Sequence, residues 1–372
     1  MGEQQTVSQR VFRAIGLMSG TSLDGVDAAL IETDGASIEA LGPWLTRGYD
    51  ETRRELLKGA LEGANVPEAE RALTEAHGEA VAALLREASL EPNEVDVIGF
   101  PGHTLLHRPE AGLTWQIGDG ARLAEITGID VVNDFRRRDI AAGGQGAPLV
   151  PLFQRALARD QPRPLALLNI GGVANVTWLG PNGELVAFDT GPGCALLDEW
   201  AERCTGARYD RDGALARAGH PEEAVLARWL GAGYFGRSPP KSLDRRSFTL
   251  DPVSGLSAAD GAATLAAFTA RAAALGARHF PRPALRWLVT GGGRRNGAIL
   301  AALRAALSGV AVEPVEVVGW PGDALEAYAF GYLAVRSVCG LPLTVPETTG
   351  ARYAVTGGAL HRAGRTPGRF PA

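Results

Sequence analysis

The chain has 372 residues, more than one hydrophobic core ordinarily organises, so two domains with a cleft between them are expected. Hydrophobic residues make up 45% and charged residues 21%, which excludes a disordered chain and supplies material for two cores. A formal charge of -5 excludes long-range attraction for nucleic acid or anionic lipid as the default, and three cysteines without CxxC spacing (Cys194, Cys204, Cys339) argue against a disulfide framework or zinc site.

The polar N-terminus lacks a signal-peptide pattern and no stretch approaches a membrane span, so a cytoplasmic protein is expected. VFRAIGL from Val11 reads as a buried strand, Ser19 to Ser22 as a small-residue turn, and VDAALIET as the returning strand before Asp34-Gly35. Glycines in this turn admit phosphate oxygens to backbone N–H groups, hydroxyls add donors, and an aspartate organises Mg²⁺ or its waters. An ordinary hairpin turn accounts for the same residues equally well. Helices are expected at Glu51–Leu61 and Pro67–Leu90, then a buried strand, VDVIGF, ending in a Gly102-His103-Thr104 loop. His103 and His107 have i,i+4 spacing, but the adjacent glycine and Pro109 predict a loop, and no third metal ligand is evident. Trp115, Gln116 and Asp119 in TWQIGDG suit either a sugar site or packing. ARLAEITG reads as a helix and IDVVND as a strand leading into Arg136-Arg137-Arg138 and AAGGQGAP. That arginine run is either a solvated face or the source of one arginine for a substrate carboxylate.

The second half repeats the opening: strand LALLNIGG, strand VANVTWL, a turn at Pro181-Asn182-Gly183, strand ELVAFDTG and a helix from Ala195 to Cys204. Paired glycines at Gly171-Gly172 leave room for a close ligand or mark a simple bulge. Asp189 stands at a strand end before Gly191-Pro192-Gly193, placed to accept a proton in a dry cleft or to serve as a turn residue. LRWLVTGGGRRNG followed by AILAALRAAL reads as strand, glycine loop and helix, without the spacing of a dinucleotide fold. A last helix is expected at Asp323–Val338 with Asp323 as its N-cap, and a frayed tail from about Arg362.

Together these motifs resemble the anhydro-N-acetylmuramic acid kinase family, members of the actin/Hsp70/hexokinase-like ATPase superfamily. The resemblance runs in order over nearly the whole chain, on GLMSGTSLDGVD, GHT, TWQIGDG, NDFRRRDIAAGGQGAPLVP, NIGGVANVT, FDTGPG, TGGG with Asn296, and DALEAYAFGYLA. It implies an α/β fold of two actin/hexokinase-like (ribonuclease H-like) domains with an interdomain active-site cleft. The expected domains are residues 1–145 and 146–372, with the final segment packing back on the first. It further implies a first phosphate loop of Gly20, Thr21, Ser22, Leu23, Asp24, Gly25, Val26 and Asp27, with Asp24 toward Mg²⁺. The second phosphate loop is Gly171 and Gly172, and the adenosine side is Gly291, Gly292, Gly293 and Asn296. Asp189 matches the catalytic aspartate, and Asp134, Arg136, Gln116, His103 and Glu326 are the expected substrate-binding residues.

The implied reaction opens 1,6-anhydro-N-acetylmuramic acid with water and phosphorylates it from ATP, giving N-acetylmuramic acid 6-phosphate in peptidoglycan recycling. The expected partners are the amino sugar and ATP, with a homodimer left open and neither nucleic acid nor membrane. Two departures from the family pattern, Cys194 after GPG and Arg294-Arg295 before Asn296, bear on the sugar pocket and the adenine contacts. The rival readings are a related kinase for another sugar, a catalytically idle nucleotide-binding protein, and an ATP-independent glycosidase.

Overall fold

The computed structural model of the chain describes residues 10–20, 23–244 and 247–364. Thr21 and Ser22, assigned above to the first phosphate loop, lie outside the described residues. The first half forms β1 (Phe12–Met18), β2 (Gly25–Thr33), β3 (Ile38–Gly48), α1 (Glu51–Leu61), α2 (Val66–Ala88), β4 (Val97–Gly99), β5 (His103–Arg108), β6 (Leu113–Ile117), α3 (Gly120–Thr127) and β7 (Val131–Asn133). Helices α4 (Arg137–Ala141) and α5 (Pro151–Leu157) lead to β8 (Leu165–Ile170), β9 (Val173–Leu179), β10 (Leu185–Pro192) and α6 (Ala195–Thr205). Then come α7 (Ala214–Arg217), α8 (Glu223–Leu230), α9 (Gly233–Gly236), α10 (Ala258–Gly276), β11 (Arg286–Thr290), α11 (Gly297–Ala306), β12 (Ala311–Pro314), α12 (Leu325–Val338), α13 (Pro346–Thr349) and β13 (Ala359–His361).

Two main sheets share one plan. In the first, the order is β3-β2-β1-β4-β7-β13, with β1, β2 and β3 antiparallel and β4 and β7 parallel to β1. In the second, the order is β10-β9-β8-β11-β12, again an antiparallel trio followed by two strands parallel to its first member. This is the ribonuclease H-like order, present twice, and each sheet with its own helices is called a lobe below. β13 returns from the far end of the chain to pair antiparallel with β7, where Arg362 and the Ala363 N–H meet Asp130. The fraying expected from Arg362 therefore does not begin there.

Among the described residues three large buried clusters fill the molecule, with a small fourth of Ala142, Ala351 and Val355. One belongs to the first lobe, one to the second, and a middle one gathers Ala14, Ala29 and Ile31, Leu167 and Leu288, and the apolar side chains of α5 and α12. Helix α12 is apolar almost all round because it is covered on all sides. Glycines set its depth: a Cβ on Gly16 would lie 1.7 Å from the Ala327 carbonyl oxygen, and one on Gly99, its neighbour across the sheet, 2.0 Å from that of Phe330. This seam places the start of α12 at the end of β1, beside the first glycine turn.

One strand was not anticipated, and two expectations are corrected. Residues 38–48 form β3, which Gly42 and Pro43 disguise in the sequence. His103 and His107 lie on strand β5, hairpinned to β6 through the Pro109–Gly112 turn, not in a loop. Helix α12 begins at Leu325 with Ala324 at the cap, and the Asp323 carboxylate instead takes Arg294 and Arg295.

Candidate active site

Asp189 pairs with Asn175 at the last regular position before the β9–β10 register slips. It is gripped at several atoms. Its N–H donates to the Lys241 carbonyl (3.0 Å), its own carbonyl accepts from the Tyr234 hydroxyl (2.5 Å), and its Oδ2 accepts from the Leu243 N–H (2.8 Å). Only 7% of the residue is exposed. Burial pushes its carboxyl up to about 7, while the Leu243 amide and the Arg136 guanidinium pull it down. A carboxyl that changes charge near neutrality is matched to taking a proton in a reaction.

Arg136 comes from the other lobe. It donates to the Gly146 carbonyl at 2.7 Å and is held charged by Asp189, Glu326 and Asp139 against burial, which pulls its pKa down. Glu326, at the start of α12, accepts from Asn169 Nδ2 at 2.9 Å; burial raises its carboxyl, Asp27 adds to that, and Asn169 and Arg136 oppose it. The structure thus gathers Asp189, Arg136, Glu326, Asn169 and Asp27 from both lobes. Gln116 stands behind them: its Nε2 donates to Thr114 (2.7 Å), Thr114 contacts His107 Nδ1 (3.1 Å), and His107 feels Arg136. Burial, with Arg136 nearby, lowers His107 to about 4, so it is neutral at physiological pH. Two further expected substrate residues have contacts of their own. Asp134, at a φ of 56°, pairs with Arg137 at 2.9 Å, and His103 is buried beside His77 and opposite Ile117.

The glycine turns are strapped together. Cys194 N–H donates to the Gly171 carbonyl (2.7 Å) and Gly193 N–H to that of Gly172 (3.0 Å), fixing the β8–β9 turn to the start of α6. In the third loop, Gly291 has a φ of +76° with its Cα against Asn169, and a Cβ on Gly293 would sit 2.3 Å from Ile170. Gly292 between them has nothing within 4 Å of where a Cβ would be, so its backbone is open to a ligand. Asn296 caps α11 by accepting from Ala298 and Ile299 N–H (both 3.1 Å), so its side chain shapes the loop. In the first turn Leu23 N–H donates to the Gly20 carbonyl (3.1 Å), Leu23 adopts a φ of 55°, and Val26 is buried. At Gly25 a Cβ would fall 2.3 Å from the Arg47 carbonyl. The two departures are also placed. Cys194 Sγ lies 3.0 Å from where a Cβ on Gly293 would be, its thiol pushed up by burial, and Arg294 is buried in ion pairs with Glu316 (2.7 Å) and Asp323 (2.8 Å).

Carboxylates crowd the mouth of the first turn. Burial raises Asp27 to about 6, opposed by its bond from Thr46 and helped by Asp323 and Asp24. Burial likewise raises Asp198 on α6 to about 7, with Asp24 and Asp210 adding to it. Oxygen donors under mutual repulsion fit a hard divalent cation, which in phosphoryl-transfer sites takes one or two carboxylates and completes its shell with phosphate and water. Among the described residues no three such side chains form a closed metal cage.

The segment carrying Tyr234, Lys241 and Leu243 is missed from sequence, as is Asp198, and Asn169 is seen only as the opening of the second glycine motif, without its bond to Glu326. No spacing marks the first three, because their contacts with Asp189 are made by backbone atoms or by one remote hydroxyl.

A family model described as anhydro-N-acetylmuramic acid kinase matches residues 12–363. The anhydro-N-acetylmuramic acid kinase of Rhodospirillum rubrum is 56% identical over 352 residues, covering 93% of this chain and 93% of that one. That of Paramagnetospirillum magneticum is 56% identical over 352 residues, covering 94% and 99%. Among solved structures, the activator of 2-hydroxyisocaproyl-CoA dehydratase from Clostridium difficile with bound ADPNP is 13% identical at a TM-score of 0.45. The match covers 88% of this chain and 96% of that one.

Proposed function

The chain belongs to the anhydro-N-acetylmuramic acid kinase family, and on that premise we propose that Asp189 is the base of its ATP-dependent reaction. That reaction converts 1,6-anhydro-N-acetylmuramic acid, water and ATP into N-acetylmuramic acid 6-phosphate and ADP. The observation that carries the proposal is a buried carboxylate with a pKa of about 7, facing an arginine of the opposite lobe, on a strand whose following turn, Gly193-Cys194, is bonded to Gly171 and Gly172.

In this reading a water attacks the anomeric carbon and gives one proton to Asp189. The bond from that carbon to O6 breaks with its electron pair on O6, which attacks the γ-phosphorus as ADP departs. Gly20, Asp24 to Asp27, Gly171-Gly172 and Gly291 to Gly293 border the nucleotide, the open backbone at Gly292 admitting close approach. Mg²⁺, when bound through Asp24 and its neighbours, would neutralise charge on the phosphates. Arg136 and Glu326 face the sugar, Arg136 suited to its carboxylate, and Gln116 supports them from the β5–β6 hairpin. Residues 1–145 and 146–372 act as the two closing lobes, with α12 and β13 returned to the first. A cytoplasmic site of action agrees with ATP as co-substrate, with three free cysteines, and with no described helix being long and apolar enough to cross a membrane.

Asp189→Asn tests the proposal. It should retain ATP affinity by calorimetry and lose about 10² to 10⁴ in turnover; near-normal turnover would remove Asp189 from the mechanism.

A further inference from the structure

The carboxylate of Asp189 is oriented by one amide, the N–H of Leu243, at 2.8 Å. That amide belongs to the Ser242–Leu243 peptide, and on its other side the Lys241 carbonyl accepts the Asp189 N–H at 3.0 Å. Ser242 therefore sits between the two contacts that hold Asp189. Its own hydroxyl leaves the second lobe and donates to Gln145 Oε1 at 2.9 Å.

Gln145 is firmly based. Its N–H donates to the Thr349 carbonyl (2.7 Å), and the next residue, Gly146, donates its N–H to the buried Asp139 carboxylate (2.6 Å), which also accepts from Thr344 and Thr349. Gly144 lies so close to Asp139 that a Cβ would be 2.1 Å from Oδ1. The Gly146 carbonyl in turn holds Arg136. One rigid loop thus carries both first-lobe groups that reach toward Asp189.

We propose that Gln145 and Ser242 are positioning residues: their hydrogen bond across the lobes holds the Ser242–Leu243 peptide so that its N–H meets the Asp189 carboxylate, setting the base when the lobes are together. When they part, this bond and the Arg136 contact are lost in one movement, and the carboxylate loses its cation together with the brace that aligns the Leu243 amide. The proposal rests on the reading of Asp189 as base. The groups facing that carboxylate are Arg136, the Tyr234 phenol and Lys241, whose ammonium lies over the Tyr234 and Phe188 rings, with Glu326 and His107 behind Arg136.

The test compares the full-length protein with Gln145→Ala, Ser242→Ala, the double variant, Ser242→Thr and Asp189→Asn, with ATP and 1,6-anhydro-N-acetylmuramic acid across pH. Each single alanine variant should lower kcat about fivefold, as loss of one neutral hydrogen bond implies. The double variant should fall no further than the singles, because both delete the same contact. The acidic limb of kcat should move to higher pH, KM for ATP should stay unchanged, and Ser242→Thr should keep wild-type behaviour. Unchanged kcat, additive losses or an unmoved acidic limb would overturn the pairing. Normal turnover by Asp189→Asn would instead sink the reading of the base itself, whereas an inactive Asp189→Asn beside fully active Gln145 and Ser242 variants would sink only the positioning role of that pair.

Discussion

With its carboxyl held near neutrality, Asp189 can accept a proton only in the molecules where it is ionised, so kcat should rise with pH and level off above about 7. Arg136→Met, lacking the cation that draws this value down, should shift that limb upward; an unshifted profile would separate the two residues. Stability runs the opposite way. A folded value of about 7 against an unfolded value near 3.9 means that the stability from proton uptake at Asp189 is fully present below about pH 4 and lost as pH rises through 7. Asp189→Asn, neutral throughout, should match the wild type to within about 1 kcal/mol at pH 4 and be more stable at pH 8 by on the order of a few kcal/mol. Equal melting shifts at both pH values would show that the carboxylate carries no such penalty. The sequence exposes Asp189 through its strand-end position and the following glycines and proline. It hides what tunes the residue, because Arg136 and Leu243 lie 53 and 54 positions away and meet it only in the folded chain.

At the scale of elements, the two glycine hairpins are legible because their strands are continuous apolar runs broken by small residues: β1 and β2, then β8 to β10, fall where expected. The β5–β6 hairpin is not, since Leu113 and Trp115 are exposed and the strands lack a buried alternating face. The seam between α12 and β1 is equally silent in local pattern. Gly16 reads as one more small residue until Ala327, over three hundred positions away, is packed upon it. Gly16→Ala should therefore destabilise the protein by about 3 kcal/mol or more, since the obstacle is backbone and cannot turn aside. It should also weaken turnover by displacing Glu326. Chemical denaturation gives the first quantity, and a midpoint matching wild type would mean that the helix can lift away without loss.

For the molecule as a whole, a length of 372 residues and a repeated strand-turn-strand opening suggest two lobes, and the two sheets share strand order and direction. What composition and periodicity leave out is the return of the chain: α12 and β13 come late in sequence yet pack on the first sheet, so the carboxylate of Glu326 reaches Asp27 and Arg136. That crossing makes the site a joint product of both lobes, with Asp24 facing Asp198, Arg136 facing Asp189, and Gln145 bonded to Ser242. In the proposed reaction a single carboxylate directs water to the anomeric carbon while the glycine turns present the γ-phosphate to the released O6. The most direct test of that reaction is mass spectrometry of the product formed in the first turnovers from ATP and 1,6-anhydro-N-acetylmuramic acid in oxygen-18 water. Label on the anomeric hydroxyl with an unlabelled O6 bearing the phosphate is the predicted result; label in the sugar–phosphate bridge, or phosphate on any other oxygen, would contradict it.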